Sequence, residues 1–353
     1  MAQVPSVRDE PLTSSYTWHS AVPEACVSEC KTGSGRVPCV LGVDEAGRGP
    51  VLGPLVYGVA YCPRDSMDVL KSIGFADSKA LTAEKRNILL AALIENHAQM
   101  GWAVRVMSPQ DISAGMLRKR PHNLNAQSSD ATVSLIQGVL DAGVDVTEIY
   151  VDTVGDPGTY SRLLQSYFPK HGHIKWTVTR KADAIYPIVG AASIAAKVTR
   201  DACIEGWKYI EQVDDKLTDE DGELATGSGY PGDPRTVRYL HETLDPVFGW
   251  AGIVRFSWAT AKSLFEEPAP KNQDARTRFG TQRPSKTLGY SVRWMDEPVT
   301  LTSFFKSTAK KGSRQLATLA APKPTTCESA LNKQKGALWR DLNLSSVGDE
   351  GLL

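Results

Sequence analysis

The order of its apolar segments constrains the fold of this chain more than any other feature. Three strand-like segments come first, V-P-C-V-L-G-V-D, P-L-V-Y-G-V-A-Y-C and W-A-V-R-V-M, with a helix capped by Thr82 before the third. Further along, helices are predicted at 129–142, from Pro157 and at 183–213, and strands at 147–152 and 175–180. This order predicts a mixed α/β sheet, flanked by helices, whose later strands are parallel.

Composition divides the chain into four regions. Residues 1–35 are rich in Ser, Pro, Thr and Glu without periodicity, which predicts a disordered arm, and residues 36–213 form the α/β domain. Residues 268–353 also lack periodicity and are predicted to form a disordered basic tail. Between them, residues 214–267 begin with an acidic loop and continue as a small helical C-terminal subdomain, whose predicted packed side chains are Tyr239, Leu240, Phe248, Trp250, Phe256 and Trp258.

Charge is distributed unevenly along a chain whose formal net charge is zero. Residues 271–353 carry 14 Lys and Arg against 7 Asp and Glu, so the rest of the chain has an excess of acid. This asymmetry favours metal ions in the body and a polyanion near the tail. No apolar stretch approaches the roughly 18 residues of a membrane span. The six cysteines lack C-x-x-C pairs, which favours free thiols and an intracellular location.

Four carboxylates occupy positions where ligand sites gather in α/β sheets. Asp44 and Glu45 end the first strand, Asp152 ends the strand T-E-I-Y-V-D, and Asp183 begins a helix. Two-metal phosphoryl chemistry places several carboxylates around two divalent ions about 3.5 to 4 Å apart, and hard oxygen ligands suit Mg²⁺. Simpler explanations stay open, since Asp152 could begin a turn, Asp183 could cap a helix, and one of the adjacent pair could be solvated.

The tripeptide Gly47-Arg48-Gly49 follows the first two acids. Glycines allow a backbone to approach a ligand closely, and an arginine between them can form a forked contact with a phosphate. A tight turn into the next strand would use the same glycines, so the tripeptide alone is a weak indication of a site.

Seven motifs, occurring in order, make the chain similar to a known family. They are D-E-A-G-R-G-P-V-L-G-P, D-S-K, N-L-N, V-D-T-V-G, K-A-D-A-x-Y-P, A-A-S-I-A-A-K-V-x-R-D and G-S-G-Y-P-x-D-P. Together, over about residues 36–265, they resemble the type 2 ribonuclease H family. The closing P-V-F-G-W and V-R-F-S-W resemble the catalytic A subunit of the heterotrimeric eukaryotic enzyme.

The resemblance implies an RNase H-like fold, with residues 36–213 as the catalytic domain. The implied activity is that of an endonuclease that uses two Mg²⁺ or Mn²⁺ ions. It would hydrolyse the RNA strand of RNA–DNA hybrids and cut at single ribonucleotides embedded in duplex DNA. The resemblance also implies two accessory subunits and a nuclear location. The four acids of the family, which bind metal and catalyse, fall on Asp44, Glu45, Asp152 and Asp183.

The same resemblance indicates substrate-binding residues. The family element that reads the ribose 2′-OH falls on Gly47, Arg48 and Gly49, and its junction-sensing tyrosine falls on Tyr230. Only the 2′-OH distinguishes a ribonucleotide from its DNA neighbour, and a tyrosine can stack on the sugar and bond it. Three cations, of which the last two could equally form a solvated helix face, are candidate phosphate contacts: Lys79, Lys197 and Arg200.

Two other functions are compatible with such a fold. A different metal-dependent nuclease or strand-transfer enzyme would use similar acids, but it would need no ribose reader such as the one expected at Tyr230. A non-catalytic subunit would not need the acids, and all four are present.

The tail contains one apolar segment, P-V-T-L-T-S-F-F at residues 298–305. Leu301, Phe304 and Phe305 would share one face of a short helical turn, which resembles the motif that docks replication proteins onto the sliding clamp. That motif usually opens with Gln, and Pro298 stands in its place. A segment that folds back on the body or on a partner protein is the alternative.

Overall fold

The structure, a computed structural model, describes residues 4–29, 35–75, 81–153, 155–211 and 226–266, together with Leu288. Its strands are β1 (Tyr16–His19), β2 (Cys39–Ala46), β3 (Leu55–Pro63), β4 (Gly101–Met107), β5 (Val146–Asp152) and β6 (Lys175–Thr179). Its helices are α1 (Glu24–Val27), α2 (Met67–Ile73), α3 (Ala83–Glu95), α4 (Pro109–Leu117), α5 (Leu124–Asp141), α6 (Pro157–Tyr167), α7 (Ala182–Ile185), α8 (Pro187–Glu205), α9 (Pro234–Glu242) and α10 (Ala259–Glu266).

The described strands form one mixed sheet in the order β1-β4-β3-β2-β5-β6. Strands β1 to β4 pair antiparallel, whereas β5 and β6 join β2 in parallel, so the predicted mixed sheet with later parallel strands is confirmed. Parallel strands need crossover helices, and these cover both faces of the sheet. The carboxyl ends of β2, β5 and β6 consequently lie at one edge.

Helix α8 covers one face of the sheet because both partners have small residues where they meet. Along α8, Ala191, Ala192, Ala195 and Ala196 are buried. Opposite them, a Cβ on Gly58 of β3 would lie 2.5 Å from the carbonyl oxygen of Ala192. This close approach fixes α8 over β2 and β3. The C-terminal part of α8, with Arg200, lies beside Gly47 at the carboxyl end of β2. Helices α2 and α3 share this face, and α4, α5 and α6 cover the other.

The predicted disorder of residues 1–35 is wrong for residues 4–29. Strand β1 pairs with β4 and extends the sheet by one strand. The Tyr16 side chain is buried and donates to the carbonyl of Ser6, while the Ser6 hydroxyl lies 2.7 Å from that of Thr199 on α8. Backbone pairing of β1 and the packing of Tyr16, Trp18 and Cys26 against the core hold this segment. Composition alone does not reveal such an edge strand.

The helix predicted at 183–213 is divided and ends earlier. Helix α7 stops at Ile185, and Pro187 begins α8, which ends at Glu205. Proline is tolerated in the first turn of a helix but restricts the residue before it to extended conformations, and Tyr186 is extended accordingly. Asp183 therefore lies on a short separate helix rather than on the long one.

The C-terminal subdomain packs as predicted with one exception. Tyr239, Leu240 and Trp250 are buried with Val51 and Leu52 of the main domain. Phe248 is instead 70% exposed, because it lies in the tight turn between Asp245 and Gly249.

Several predictions made from the sequence lie outside the described residues. Residues 214–225 of the predicted acidic loop fall outside them, as does Lys79. The basic tail at 268–353 and the segment 298–305 are also outside, apart from Leu288. In the part of the chain that the structure describes, no helix is both long and apolar enough to cross a membrane.

Substituting Gly58→Ala tests the contact between α8 and the sheet. Because the new methyl group would meet a backbone carbonyl rather than a flexible side chain, we expect the free energy of unfolding to fall by about 3 kcal/mol. Urea unfolding followed by circular dichroism measures this change.

The matched control is Gly172→Ala, where no described atom lies within 4 Å of the added Cβ. This variant should unfold within about 0.5 kcal/mol of the original protein. Equal stability of the two variants would mean that α8 does not approach β3 as closely as described.

Candidate active site

Strand register brings Asp44 and Asp152 side by side. Val43 of β2 pairs with Val151 of β5, so the next residue on each parallel strand is one of these two acids. Neighbouring strands lie about 4.8 Å apart, which places both carboxylates at the same edge of the sheet. Strand β2 continues to Ala46, one residue beyond the end predicted at Asp44 and Glu45.

Asp183 is joined to this pair through the backbone. Asp152 Oδ1 accepts a hydrogen bond from the N–H of Ala182, at 2.9 Å, directly before Asp183 on α7. The chain reaches this position by a left-handed turn at Lys181, whose φ is 58°. Non-glycine residues rarely adopt this conformation, and they cluster where the surrounding structure imposes them, often at functional sites.

Adjacent Asp44 and Glu45 point to opposite faces of the sheet because β2 is extended through both. Asp44 is 3% exposed on the face of α8, where the Ser193 hydroxyl bonds its carboxylate. Glu45, opposite Tyr57, lines a pocket of about 300 Å³ on the face of α5, and Asp152 lines the same pocket. Each face of the sheet therefore receives one carboxylate from β2.

The electrostatics of Asp44 match those of a carboxylate in a cluster of acids. Burial, followed by the nearby charges of Glu45 and Asp152, raises its pKa well above the ordinary value. Its Oδ1 accepts from the N–H of Glu45, whereas its Oδ2 is buried and accepts no hydrogen bond from any described residue. An orphaned buried carboxylate oxygen is costly unless a cation compensates it.

The four acids fit divalent cations in chemistry and in strand position. All of them supply hard oxygen ligands, as Mg²⁺ and Mn²⁺ require, and a cation would give Asp44 Oδ2 a partner. In the described part of the chain, however, no group of three or more acidic, His or Cys side chains is arranged to hold a metal ion. Like charges repel, and Asp44 and Asp152 each bond a backbone N–H instead, so side-chain rotation would have to complete a ligand set.

The G-R-G loop, defined as Gly47, Arg48 and Gly49, follows the carboxyl end of β2 and contacts helices on both faces of the sheet. A Cβ on Gly47 would collide with the Arg200 side chain from α8 and lie 2.7 Å from the carbonyl oxygen of Pro54. With its φ of 83°, this position requires glycine on two grounds. The space that a side chain would fill is thus occupied by Arg200.

Arg48 points the other way, toward α5. Its guanidinium donates to Ser128 Oγ at 2.8 Å and to Asn125 Oδ1, and it lies 3.5 Å from the Tyr57 hydroxyl. Asn125 belongs to the N-L-N motif, and Asn123 of the same motif caps α5 by accepting from the N–H of Ala126. The motif therefore fixes the direction of Arg48, a role that its spacing did not predict.

Tyr230 lies directly above Gly49. A Cβ on that glycine would be 3.1 Å from Tyr230 Cε1, and the tyrosine ring is half exposed. The loop that carries the ring is attached to the segment after the G-R-G loop, because Val51 N–H donates to the Gly229 carbonyl at 2.8 Å. Asp233 accepts from the N–H and hydroxyl of Ser228 and holds the loop in shape.

Two residues that sequence reasoning did not assign to the site hold the G-R-G loop. Fully buried Arg255 donates to the carbonyls of Gly47 (2.7 Å), Arg48 (3.3 Å) and Gly53 (2.8 Å), and Trp258 Nε1 donates to that of Gly49 (3.0 Å). Burial and the charge of Arg200 lower the pKa of Arg255 to about 9, which leaves it protonated at neutral pH. Both residues belong to the motif V-R-F-S-W, but the sequence does not show that this motif packs against the G-R-G loop.

The loop thereby offers donors rather than both donors and acceptors. Its three carbonyls are engaged by Arg255 and Trp258, whereas none of the described residues accepts a hydrogen bond from the N–H groups of Gly47, Arg48 and Gly49. Three backbone donors at a strand end can bind an oxygen of a ligand. This finding refines the sequence-based expectation that the loop exposes its backbone.

The candidate phosphate contacts are placed unequally. Arg200 lies under Gly47 with its Nε and Nη2 buried and without a described hydrogen-bond partner, and burial lowers its pKa. Lys197 lies one turn earlier on α8, between Arg200 and Ser193, and is half-buried. The alternative from the sequence was that Lys197 and Arg200 form a solvated helix face, and neither side chain is fully exposed. Lys79 lies outside the described residues.

Comparisons with known proteins agree with this geometry. A family model described as Ribonuclease HII matches residues 41–261. The A subunit of ribonuclease H2 from Bos taurus is 48% identical to this chain, and the match covers 73% of this chain and 81% of that protein. The corresponding protein of Arabidopsis thaliana is 49% identical, with 75% of this chain and 89% of that protein covered.

Among solved structures, the crystal structure of ribonuclease H2 from Pyrococcus horikoshii OT3 is 37% identical, with a TM-score of 0.52. The match covers 64% of this chain and 97% of that one, and it confirms the expected RNase H-like fold. The chain therefore belongs to the type 2 ribonuclease H family, alongside the ribonuclease H2 proteins of cattle and Arabidopsis, and is a hydrolase with ribonuclease H endonuclease activity.

Proposed function

We propose that this enzyme hydrolyses the RNA strand of RNA–DNA hybrids and also cuts at single ribonucleotides embedded in duplex DNA. The observation that carries the proposal is the position of Tyr230 above Gly49, beside three backbone N–H donors and the acids at the ends of β2 and β5. A ribose held there has its 2′-OH against the loop and its adjoining phosphate toward the acids. A nuclease that ignored the sugar would need no such pairing.

Asp44, Glu45, Asp152 and Asp183 are the residues that would hold two divalent ions, Mg²⁺ or Mn²⁺. When bound, such ions supply an activated water and charge stabilisation at the leaving oxygen. The chain's own contribution is to fix the carboxylates: register places Asp44 beside Asp152, and the Ala182 N–H ties Asp152 to α7. The orphaned Asp44 Oδ2 and the raised pKa of Asp44 support this assignment.

The G-R-G loop reads the ribose through its backbone. Its N–H groups donate to the 2′-oxygen, which deoxyribose lacks, and the Tyr230 ring packs on the sugar while its hydroxyl supplies a further hydrogen bond. Arg200, with two buried nitrogens below Gly47, and Lys197 on the same helix are placed to neutralise phosphates. Lys79 is assigned the same role from the sequence alone.

The assembly and its location are proposed from the names of the relatives and from the sequence. Because these relatives are named as one lettered part of ribonuclease H2, the enzyme has several subunits. We therefore expect accessory subunits, two by resemblance to the heterotrimer, and a nuclear location. Binding of residues 298–305 to the sliding clamp rests on the sequence pattern only.

The direct test compares three labelled 25-base-pair duplexes: one with a single embedded ribonucleotide, one with a continuous RNA strand, and one of DNA alone. Purified full-length protein, with and without its co-purified partners, is incubated with Mg²⁺, with Mn²⁺ or with EDTA. We expect cleavage of the first two duplexes only, and only with metal. Cleavage of all-DNA duplex at a similar rate would contradict ribose recognition.

Substituting Asp44→Asn tests the acid cluster. The change removes a buried charge that is repelled by Glu45 and Asp152, so the protein should remain folded and its melting temperature should stay equal or rise. Cleavage should nevertheless fall by about 100-fold or more, since a metal ligand is lost.

The matched control is Asp141→Asn, an exposed carboxylate at the far end of α5, which should cleave normally. Near-normal metal-dependent cleavage by the Asp44 variant would remove this residue from the proposed ligand set.

Substitutions of Tyr230 separate hydrogen bonding from stacking. Tyr230→Phe removes only the hydroxyl, and the loss of one hydrogen bond should lower cleavage at a single ribonucleotide by about 3- to 10-fold. Tyr230→Ala also removes the ring, which should lower cleavage by a further factor of about 10 to 100. Single-turnover rates measure both effects.

The same two substitutions at Tyr167, another half-exposed tyrosine, serve as controls and should have no effect. If all Tyr230 variants cleave equally well, the ring does not contact the substrate.

Substituting Arg255→Lys tests the support of the G-R-G loop. One ammonium group cannot reach three carbonyls in the geometry of a guanidinium, so buried acceptors are left unpaired. We expect the free energy of unfolding to fall by about 2 to 4 kcal/mol and cleavage at a single ribonucleotide to fall even where the variant is fully folded.

Arg238→Lys, on the exposed side of α9, is the control and should change neither quantity. Unaltered cleavage by folded Arg255→Lys protein would show that the loop keeps its shape without the guanidinium.

A further inference from the structure

A cationic run connects α4 to α5 close to the candidate active site. Arg118, Lys119 and Arg120 follow one another, and all three side chains are exposed. Within residues 4–29, 35–75, 81–153, 155–211 and 226–266, no acidic side chain forms an ion pair with any of them. Three uncompensated charges in succession create a positive potential at this rim.

The run is held against α5 by its C-terminal neighbours. His122 donates its N–H to the Gly115 carbonyl at 2.9 Å and accepts at its own carbonyl from Gln127 Nε2 at 2.7 Å. Its ring lies 2.8 Å from a carboxylate oxygen of Asp130, in the second turn of α5. The backbone that follows the three cations is therefore held in place by hydrogen bonds.

The same end of α5 forms a wall of the active-site pocket. Asn125 and Ser128 bond the Arg48 guanidinium, and both line the pocket of about 300 Å³ that also contains Glu45 and Asp152. Most of the other pocket-lining side chains carry hydroxyl groups, and Asp156 and Leu163 complete the lining. A cation set among neutral donors beside the acids is suited to a phosphodiester rather than to an apolar ligand.

Chain length limits how far the run lies from this pocket. Arg120 and Asn125 are five positions apart, so at most about 18 Å of extended chain joins their Cα atoms. One strand of a duplex advances roughly 3.4 Å per nucleotide, so the run is within reach of phosphates up to about five nucleotides from the pocket.

We propose that the substrate duplex leaves the active site across the first turn of α5, with one phosphate in the Arg48 pocket and the following phosphates on residues 118–120. This inference rests on the proposed function for the identity of the duplex. Tyr230 and Arg200 lie on the α8 side of the G-R-G loop, and Arg48 lies on the α5 side. The run therefore contacts the duplex on only one side of the ribonucleotide.

The experiment measures binding rather than cleavage. Full-length protein carrying Asp152→Asn, which prevents turnover, is titrated into a fluorescein-labelled RNA–DNA hybrid of 25 base pairs at several salt concentrations. The test variant adds Lys119→Gln and Arg120→Gln. We expect the slope of log affinity against log salt to become shallower by about two, with affinity at 0.1 M salt lower by roughly tenfold or more.

The matched control is Lys170→Gln with Lys175→Gln. Both lysines are exposed, and Lys175 is the first residue of β6. It therefore lies at the amino end of the parallel strands, whereas Asp152 lies at their carboxyl end. Removing two charges there changes the net charge of the protein equally but should leave the salt slope unchanged. Equal slopes for the test variant and for the parent with residues 118–120 unchanged would overturn the proposal. The run would then be a solvated loop or a site that binds another protein.

Trimming the duplex tests the one-sided path. A 25-base-pair duplex with one central ribonucleotide is shortened to one base pair beyond the ribonucleotide on either side in turn, which removes the phosphates that would follow the one in the Arg48 pocket. The defect of the Lys119→Gln, Arg120→Gln variant should disappear for one trimmed duplex and persist for the other. A defect that survives both truncations equally, or is lost with both, overturns the path across α5.

The outcome is separable from that of the proposed function. If protein without the Asp152 substitution cleaves no ribonucleotide-containing duplex, the proposed activity fails whatever the binding slopes are. If it cleaves normally while the charge variants bind as tightly as the parent, only the path across α5 fails.

Discussion

The buried guanidinium of Arg255 is the interaction on which the geometry of the G-R-G loop depends. A loop of two glycines has little preference for one conformation, and its carbonyls need partners once they are buried. Arg255 supplies three hydrogen bonds in a rigid fork, and Trp258 supplies a fourth. Both come from the C-terminal subdomain, which explains why a small aromatic cluster is attached to the main domain beside β2. The subdomain shapes the site without contributing an acid.

Clustering of acids at the carboxyl ends of β2 and β5 has an electrostatic cost. Asp44 is buried beside Asp152 and Glu45, and its pKa is raised by burial and by both charges. Burying a carboxylate beside two others costs stability unless a partner compensates its charge. Residues that break the rules of stability in this way are expected where function requires them.

Much of this arrangement could be predicted from the sequence, and the failures have physical causes. Apolar periodicity predicted the mixed sheet, and it placed Asp152 at the last residue of its strand and Asp44 two residues before the end of β2, because both strands are marked by local apolar pattern. It could not predict that residues 4–29 add an edge strand, since the four residues of β1 are too few to show a period and their partner strand β4 is about ninety residues away. Arg255 was missed for a related reason: its partners are carbonyls some two hundred residues away, and no sequence spacing connects them.

Strand alternation has a further consequence for how a duplex can approach. Because side chains on β2 alternate, Asp44 faces α8 and Glu45 faces α5, and the G-R-G loop repeats the division with Arg200 on one side and Arg48 on the other. Each face of the sheet therefore contributes one carboxylate and one arginine to the same edge. A phosphodiester that contacted both sets would have to cross the end of the sheet from face to face, because the two sets lie on opposite faces.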